Sequence, residues 1–173
     1  MRRLAMLLLF ILAGCDASQP ESARTVAAIE VPLPTEKDKT DFLDLLAKDA
    51  VTHGYHLDTA TPEELAQLST VSPISLNATV WRGEDEEAIA SAMDSRDHIG
   101  RIWLTFSKGK KPEDATRFRE ALLQHVRERW PDTRSLPIMP TGAIPNAEDL
   151  NRTPAGYVVK PSEAAKYNRS TGN

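Results

Sequence analysis

The longest regular pattern in the chain is IGRIWLTFSKGKKPEDATRFREALLQHV, residues 99–126. Ile102, Leu104 and Phe106 alternate with Arg101, Trp103 and Thr105, which predicts a strand over 99–107. A polar turn follows, and from Pro112 onward apolar residues recur at helical spacing. They are Ala115, Phe118, Ala121, Leu122 and Val126. We expect this long helix to end at Trp130, because a residue that precedes proline is pushed out of helical geometry.

Weaker strand and helix patterns precede and follow residues 99–126. Upstream, they predict a helix over 36–53 capped by Thr35, a short strand at 55–57, a helix over 62–69 capped by Thr61, and a strand over 74–80. Residues 84–97 are acidic and fit a short helix or a loop equally well. Downstream, residues 136–139 predict an edge strand, the position in a sheet where Pro137 is tolerated.

This order of elements predicts an α+β fold of two layers, with the helices packed on one face of a small antiparallel sheet. We expect the globular domain to occupy residues 36–140. Residues 15–35 contain three prolines and no clear period, and they predict a flexible, disordered N-terminal tether with one apolar spot at 26–29. Residues 141–173 are mostly polar and predict an irregular C-terminal tail.

The N-terminus has the features of a cleaved export signal. Arg2 and Arg3 precede an unbroken apolar run from Leu4 to Ala13. A membrane-spanning helix needs about 20 apolar residues, so a run of half that length indicates a signal peptide, here residues 1–14.

The run closes on Leu12-Ala13-Gly14-Cys15, which resembles the lipobox of bacterial lipoproteins. The resemblance implies that Cys15 receives a diacylglycerol thioether, that signal peptidase II cuts before it, and that the new amine is acylated. Cys15 is the only cysteine of the chain, so no disulfide or thiol chemistry competes for it. Asp16 resembles the signal that retains such proteins in the inner membrane of enteric bacteria; the alternative location is the outer membrane.

Composition and motifs argue against several function classes. The formal net charge is −4, and cleavage would remove two arginines and no carboxylate, so nucleic acid is not an expected partner. The chain has no Gly-x-Ser-x-Gly motif, and we expect neither catalytic residues nor a cofactor. His53 and His56 stand three residues apart, but Gly54 interrupts the helix between them, and we assign no metal site.

Several large aromatic and basic residues are candidates for contact with a partner protein. Trp81 and Trp103 lie on or beside the predicted strands, opposite the main apolar rows, so their exposure depends on whether the tail covers that face. The complete candidate set is Trp81, Trp103, Arg117, Arg127 and Trp130. The acidic stretch 84–97 and the basic stretch 108–134 also polarise the charge along the chain.

These observations favour a membrane-anchored envelope lipoprotein with a non-enzymatic, protein-binding domain. An immunity or inhibitor protein against a periplasmic toxin or lytic enzyme fits this description, and so does an assembly subunit. The alternative is a binder of a small ligand, a metal or a cell-wall glycan. A cell-wall or lipid-acting enzyme is the third hypothesis.

Overall fold

The structure is a computed structural model that describes residues 20–70, 74–83, 87–95 and 98–167. The helices of this part are α1 (Glu36–Thr52), α2 (Pro62–Leu68), α3 (Pro112–Arg129) and α4 (Ala164–Tyr167). The strands are β1 (Thr25–Pro32), β2 (His56–Thr59), β3 (Asn77–Arg82), β4 (Glu87–Ser95), β5 (His98–Ser107), β6 (Arg134–Ser135), β7 (Leu150–Thr153) and β8 (Gly156–Val159). Short 3-10 turns occupy Glu21–Ala23 and Ala147–Asp149.

The predicted α+β fold is confirmed. Six strands form an antiparallel sheet in the order β2-β3-β4-β5-β1-β6, and β7 and β8 form a separate hairpin. Helices α1 and α3 pack side by side on one face of the sheet. They run in opposite directions, because Phe42 in the first half of α1 meets Trp130 after the end of α3, while His53 after α1 meets Phe118 near the start of α3.

The main core lies between these helices and the sheet. The inward rows of β1 and β5 contribute fully buried aliphatic and aromatic side chains, as the alternation in residues 99–107 predicts. The apolar stripe of α3 faces them, with Phe118 against Phe106 at 6.3 Å between ring centres. The largest side chains with less than 2% exposure are Phe42, Phe106, Phe118, Ile29, Leu33, Leu46, Ile89, Ile102, Leu104 and Leu122.

The predicted helix starts are confirmed. Thr35 Oγ1 accepts a hydrogen bond from the Asp38 amide at 3.1 Å, and the Asp38 carboxylate accepts one from the Thr35 amide at 3.2 Å. Thr61 and Glu64 make the same reciprocal pair at the start of α2. Each of these reciprocal pairs gives a hydrogen-bond partner to backbone amides that have none within the helix. The pair therefore fixes the residue at which the helix begins.

The prediction of a flexible tether as far as residue 35 is wrong. Residues 25–32 form β1, which pairs with β5 on one side and β6 on the other, and the domain therefore begins well before residue 36. Ile29, Val31 and Leu33 alternate into the core, and Pro32 is accommodated because it is the last residue of the strand. Of the predicted tether, residues 15–19 lie outside the described part of the chain.

The helix or loop expected over 84–97 is also wrong for the part that is described, because Glu87–Ser95 form β4 in the middle of the sheet. An irregularity in the pairing with β3 falls at Ile89, and both Ile89 and Ala90 are buried. Two consecutive buried residues break the period of two that marks a strand, so the remaining apolar spacing resembles a helix.

Two strand boundaries are displaced. β3 starts at Asn77 and not at residue 74, because the Ser75 and Leu76 amides donate to the buried Asp94 carboxylate. The edge strand is β6, two residues before the predicted segment 136–139. The Leu136 amide still donates to the Ala28 carbonyl at 2.9 Å. Pro137 has no amide proton, so it cannot extend the hydrogen bonding between β6 and β1.

The segment predicted as an irregular tail from residue 141 contains the β7–β8 hairpin and α4. The hairpin meets β6 where Gly156 lies against Ser135. A Cβ atom on Gly156 would come within 2.7 Å of the Ser135 carbonyl oxygen, and the φ of Gly156 is +137°. Both facts require glycine at this contact.

Candidate functional site

The face of the sheet opposite the helices is divided into two unlike halves. Cross-strand partners share a face, so the pairings His56–Trp81, Asp58–Thr79, Thr79–Ser91 and Asn77–Met93 define one surface on β2, β3 and β4. We call this surface the open face; its residues are His56, Asp58, Asn77, Thr79, Trp81, Ser91 and Met93. All seven are half-buried or exposed, and Met93 is 41% exposed.

The other half, on β1 and β5, lies beneath the C-terminal segment, residues 136–167. Ala28, Leu136 and Leu150 form a second apolar cluster there. Trp103, Ile138, Ile144, Tyr157 and Val159 pack against it. Within the described part of the chain this cluster includes no residue of β2, β3 or β4, so the apolar cover stops at the boundary of the open face.

A buried carboxylate joins the C-terminal segment to the sheet. Glu30 Oε1 accepts from Arg101 Nη1 at 2.6 Å and from the Tyr157 hydroxyl at 2.7 Å, and Glu30 Oε2 accepts from Trp103 Nε1 at 3.4 Å. The Glu30 side chain is 5% exposed. Its hydrogen bond raises the pKa of Arg101, whereas burial, followed by the bond to Glu30, raises the pKa of Tyr157. Three donors, one of them from the C-terminal segment, therefore converge on the Glu30 side chain.

A second carboxylate holds the end of the same segment. Asp149 accepts from the Tyr167 hydroxyl at 2.5 Å and from Lys166 Nζ at 3.2 Å. The Tyr167 bond lowers the pKa of Asp149, and the Lys166 bond lowers it further. The pKa of Lys166 is raised by its bonds to Glu163 and Asp149. These contacts hold the end of the C-terminal segment against its own 3-10 turn, whereas the Glu30–Tyr157 hydrogen bond attaches the segment to β1.

The three candidate tryptophans occupy three different environments. Trp81 lies half-buried on the open face, beside His56. Trp103 is half-buried beneath the C-terminal segment, which means that the tail covers the face at this point. Trp130 as a partner-binding residue is wrong, because its ring is 7% exposed and packs edge-on against Phe42 at 5.8 Å.

Arg117 and Arg127 are exposed on α3, which belongs to the helix layer on the far side of the sheet from Trp81. Arg117 pairs with Asp114, and Arg129 of the same helix pairs with Asp41. The basic stretch is thus partly neutralised by neighbouring carboxylates. The structure brings neither arginine together with the tryptophans, so the candidate set does not form one site.

The histidines have local roles. His53 Nδ1 is 2.8 Å from the Asp49 carbonyl at the end of α1, and the His53 ring packs against Phe118. His56 is exposed on the open face. No group of three or more His, Cys, Asp or Glu side chains in the described residues is placed to hold a metal ion.

A histidine–carboxylate pair not predicted from the sequence lies between α1 and α3. His125 Nδ1 is 2.8 Å from Asp49 Oδ2; the Asp49 side chain is 5% exposed and that of His125 is 45% exposed. Such a pair orients an imidazole for proton transfer when a nucleophile is adjacent. The other residues around this shallow depression are Leu45, Lys48, Glu128 and Arg129, which include no hydroxyl or thiol. The pair therefore joins the two helices.

Cys15 and the preceding signal-like run lie outside the described residues. Within the described part, no helix combines the length and apolar character that crossing a membrane requires. Comparisons of the chain with protein-family models, with curated proteins and with solved structures found no match.

Proposed function

We propose that the chain is an envelope lipoprotein, held on a membrane by Cys15, whose domain binds another protein through the open face. The proposed location is the periplasmic side of the inner membrane, because of Asp16, with the outer membrane as the alternative. A periplasmic toxin or lytic enzyme that the domain would inhibit fits as partner, and so does a subunit of an envelope assembly.

The observation that carries the binding proposal is the contrast between the two halves of one sheet face. On β1 and β5 the chain covers its own apolar side chains with the C-terminal segment. On β3 and β4 it leaves Trp81 and Met93 uncovered by that cluster, and Met93 is among the few large apolar side chains of the described chain that are exposed. Tryptophan and methionine are enriched at protein interfaces, where polar residues form a rim, as Asp58, Asn77 and Thr79 would here.

The anchor is tested with Cys15→Ala. Loss of the only thiol removes the acceptor of the lipid, so we expect the variant to leave the membrane fraction, whereas Ser18→Ala, a control three residues further on, stays there. Mass spectrometry of the wild-type protein should show a lipid adduct on Cys15. An unmodified Cys15, or equal fractionation of the two variants, would overturn the anchor.

The binding surface is tested by site-specific photo-cross-linking in cells. A photoreactive residue at Met93 is expected to give one adduct of defined mass, because this side chain is the most clearly exposed large apolar group of the open face. The same residue at Val51 or Val158, which are 72% and 48% exposed on other surfaces, should give none. Trp81→Ala should weaken the interaction by about 2 kcal/mol or more if Trp81 is a hot spot.

Two results would contradict the binding proposal. One is an equal pattern of adducts at Met93 and at the two control positions. The other is an adduct at Met93 whose yield is unchanged by Trp81→Ala when the circular dichroism of that variant shows a folded domain.

A further inference from the structure

The chain enters the domain at one end of the sheet. The described residues begin at Pro20, and the turn Glu21–Ala23 is bound to the loop between β5 and α3. Gly109 donates to the Ser22 carbonyl and Lys108 donates to the Arg24 carbonyl, both at 2.8 Å. Lys108 also forms an ion pair with Glu21. The point of entry is therefore fixed to the folded domain.

The same end contains the bend that follows β6, because Gly142 lies against Arg24 and Thr25. We call the surface formed by residues 20–24, 108–111 and 140–142 the basal surface. At the opposite end of the sheet lie the start of α1 and the residues after α3. The ten residues of β5 separate the two ends by about 33 Å, at about 3.3 Å per residue.

The length of chain between Cys15 and Pro20 limits how the domain sits on a bilayer. Five Cα–Cα steps span at most about 18 Å in any conformation. With the lipid of Cys15 in the bilayer, an inverted domain would place Pro20 about 30 Å or more above the head groups, which exceeds this reach. The basal surface or a side of the domain must therefore face the membrane.

The distribution of charge indicates whether the basal surface or a side of the domain faces the membrane. Arg24, Lys110 and Lys111 are exposed at the basal surface, and their side chains form no ion pair with any described residue. They surround the point from which the chain leads back to Cys15. Cations beside a lipid anchor are attracted to anionic phospholipid head groups and supply a second membrane contact.

Carboxylates at the same end of the sheet oppose this attraction in part. Glu87 begins β4 and accepts from the Lys110 amide, and the sequence places Glu84, Asp85 and Glu86 between β3 and β4. Glu87 lies on β4, which is separated from β1 by β5 in the strand order. Arg24 directly precedes β1 at the point of entry, so the side with β1 and β5 is the side drawn towards the head groups.

We propose that the basal surface lies against the phospholipid head groups of the membrane that holds Cys15, with the strands upright on the bilayer. This inference rests on the lipid anchor proposed above. In this orientation the open face points sideways, parallel to the membrane plane, where a partner on the same membrane or in the periplasm reaches it.

The test uses full-length lipidated protein in vesicles of phosphatidylethanolamine and phosphatidylglycerol that contain a head-group nitroxide lipid. Because the only native cysteine would carry the lipid, a new cysteine is the single site for a thiol-reactive fluorophore. Lys110→Cys labels the basal surface, Lys37→Cys the opposite end and Lys48→Cys the helix layer; all three positions are exposed, and each change removes one positive charge. Flotation with the vesicles is recorded for each variant before quenching is measured.

We expect all three variants to float and the Lys110→Cys label alone to lose most of its fluorescence. A protein that does not float overturns the anchor, and the orientation with it. A protein that floats but shows equal or stronger quenching at Lys37→Cys or Lys48→Cys overturns the orientation and leaves the anchor in place.

Discussion

Phe118→Ala is expected to lower the free energy of unfolding by about 3–5 kcal/mol. The Phe118 side chain is fully buried at the meeting point of α1, α3 and the sheet. Three aromatic rings lie edge-on around it, with centres 5.1 Å away for Tyr55, 5.6 Å for His53 and 6.3 Å for Phe106. Truncation removes these contacts and leaves a cavity that the surrounding strands cannot close.

Urea denaturation followed by circular dichroism measures this effect. Phe118→Leu keeps most of the apolar volume and should cost less than the alanine variant, whereas Val51→Ala at a 72% exposed position should change stability by less than about 0.5 kcal/mol. Since domains of this size are stable by only about 5–15 kcal/mol, the alanine variant should be partly unfolded at moderate urea. A loss below about 1 kcal/mol would show that Phe118 is not at the centre of the core.

The elements that the sequence predicts correctly are those whose own residues carry the full signal. Helix α3 has an uninterrupted apolar stripe and a proline at each boundary, and α1 and α2 have capping residues that act within four positions. Strand β5 shows its alternation because Ile102, Leu104 and Phe106 all point into the core. Local patterns suffice where local geometry and burial agree.

The elements that the sequence analysis misses depend on partners far along the chain. β1 is stabilised by pairing with β5 and β6, about 75 and 105 residues away in register, and its prolines resemble those of a linker. β4 contains an irregularity at Ile89 that hides its alternation. The hairpin of the C-terminal segment has strands of only four residues, and it is ordered by contacts with β6 and Glu30 that no local window contains.

The residues of the candidate site also differ in whether local sequence or distant contacts determine their exposure. Alternation places Trp81 and Trp103 on the face opposite the main apolar rows, but it does not say which of them the tail covers, nor that Trp130 packs against Phe42. Met93 was missed because it lies in the acidic stretch that the sequence analysis took for a helix or a loop. Placing Met93 beside Asn77 and Trp103 requires the register of three strands.

Glu30 illustrates how a single side chain in a misassigned segment can control the whole covered half of the sheet. Glu30→Ala is expected to lower the free energy of unfolding by about 2–4 kcal/mol. The substitution leaves Arg101 and the Tyr157 hydroxyl without their shared acceptor in a partly buried position. The expected loss lies slightly below that of a fully buried ion pair, because the Arg101 side chain is 34% exposed and water replaces part of the interaction.

Two further variants separate the contributions to this loss. Glu30→Gln retains an acceptor of the same shape and removes the charge, so it should cost less than Glu30→Ala. Tyr157→Phe removes one hydroxyl and should cost about 1 kcal/mol. Because Tyr157 and Glu30 are in contact, the combined Glu30→Gln and Tyr157→Phe variant should depart from additivity by about 0.5 kcal/mol or more.

Hydrogen exchange would show where the lost stability resides. If Glu30 joins the C-terminal segment to the sheet, the amides of residues 150–159 should exchange faster in Glu30→Ala, while those of β3 and β4 should lose protection only to the extent that the whole domain is destabilised. Equal acceleration throughout the sheet would mean that the carboxylate stabilises the core as a whole. Release of the hairpin alone would also uncover Ala28 and Trp103, and would extend the open face from β4 across β5 to β1.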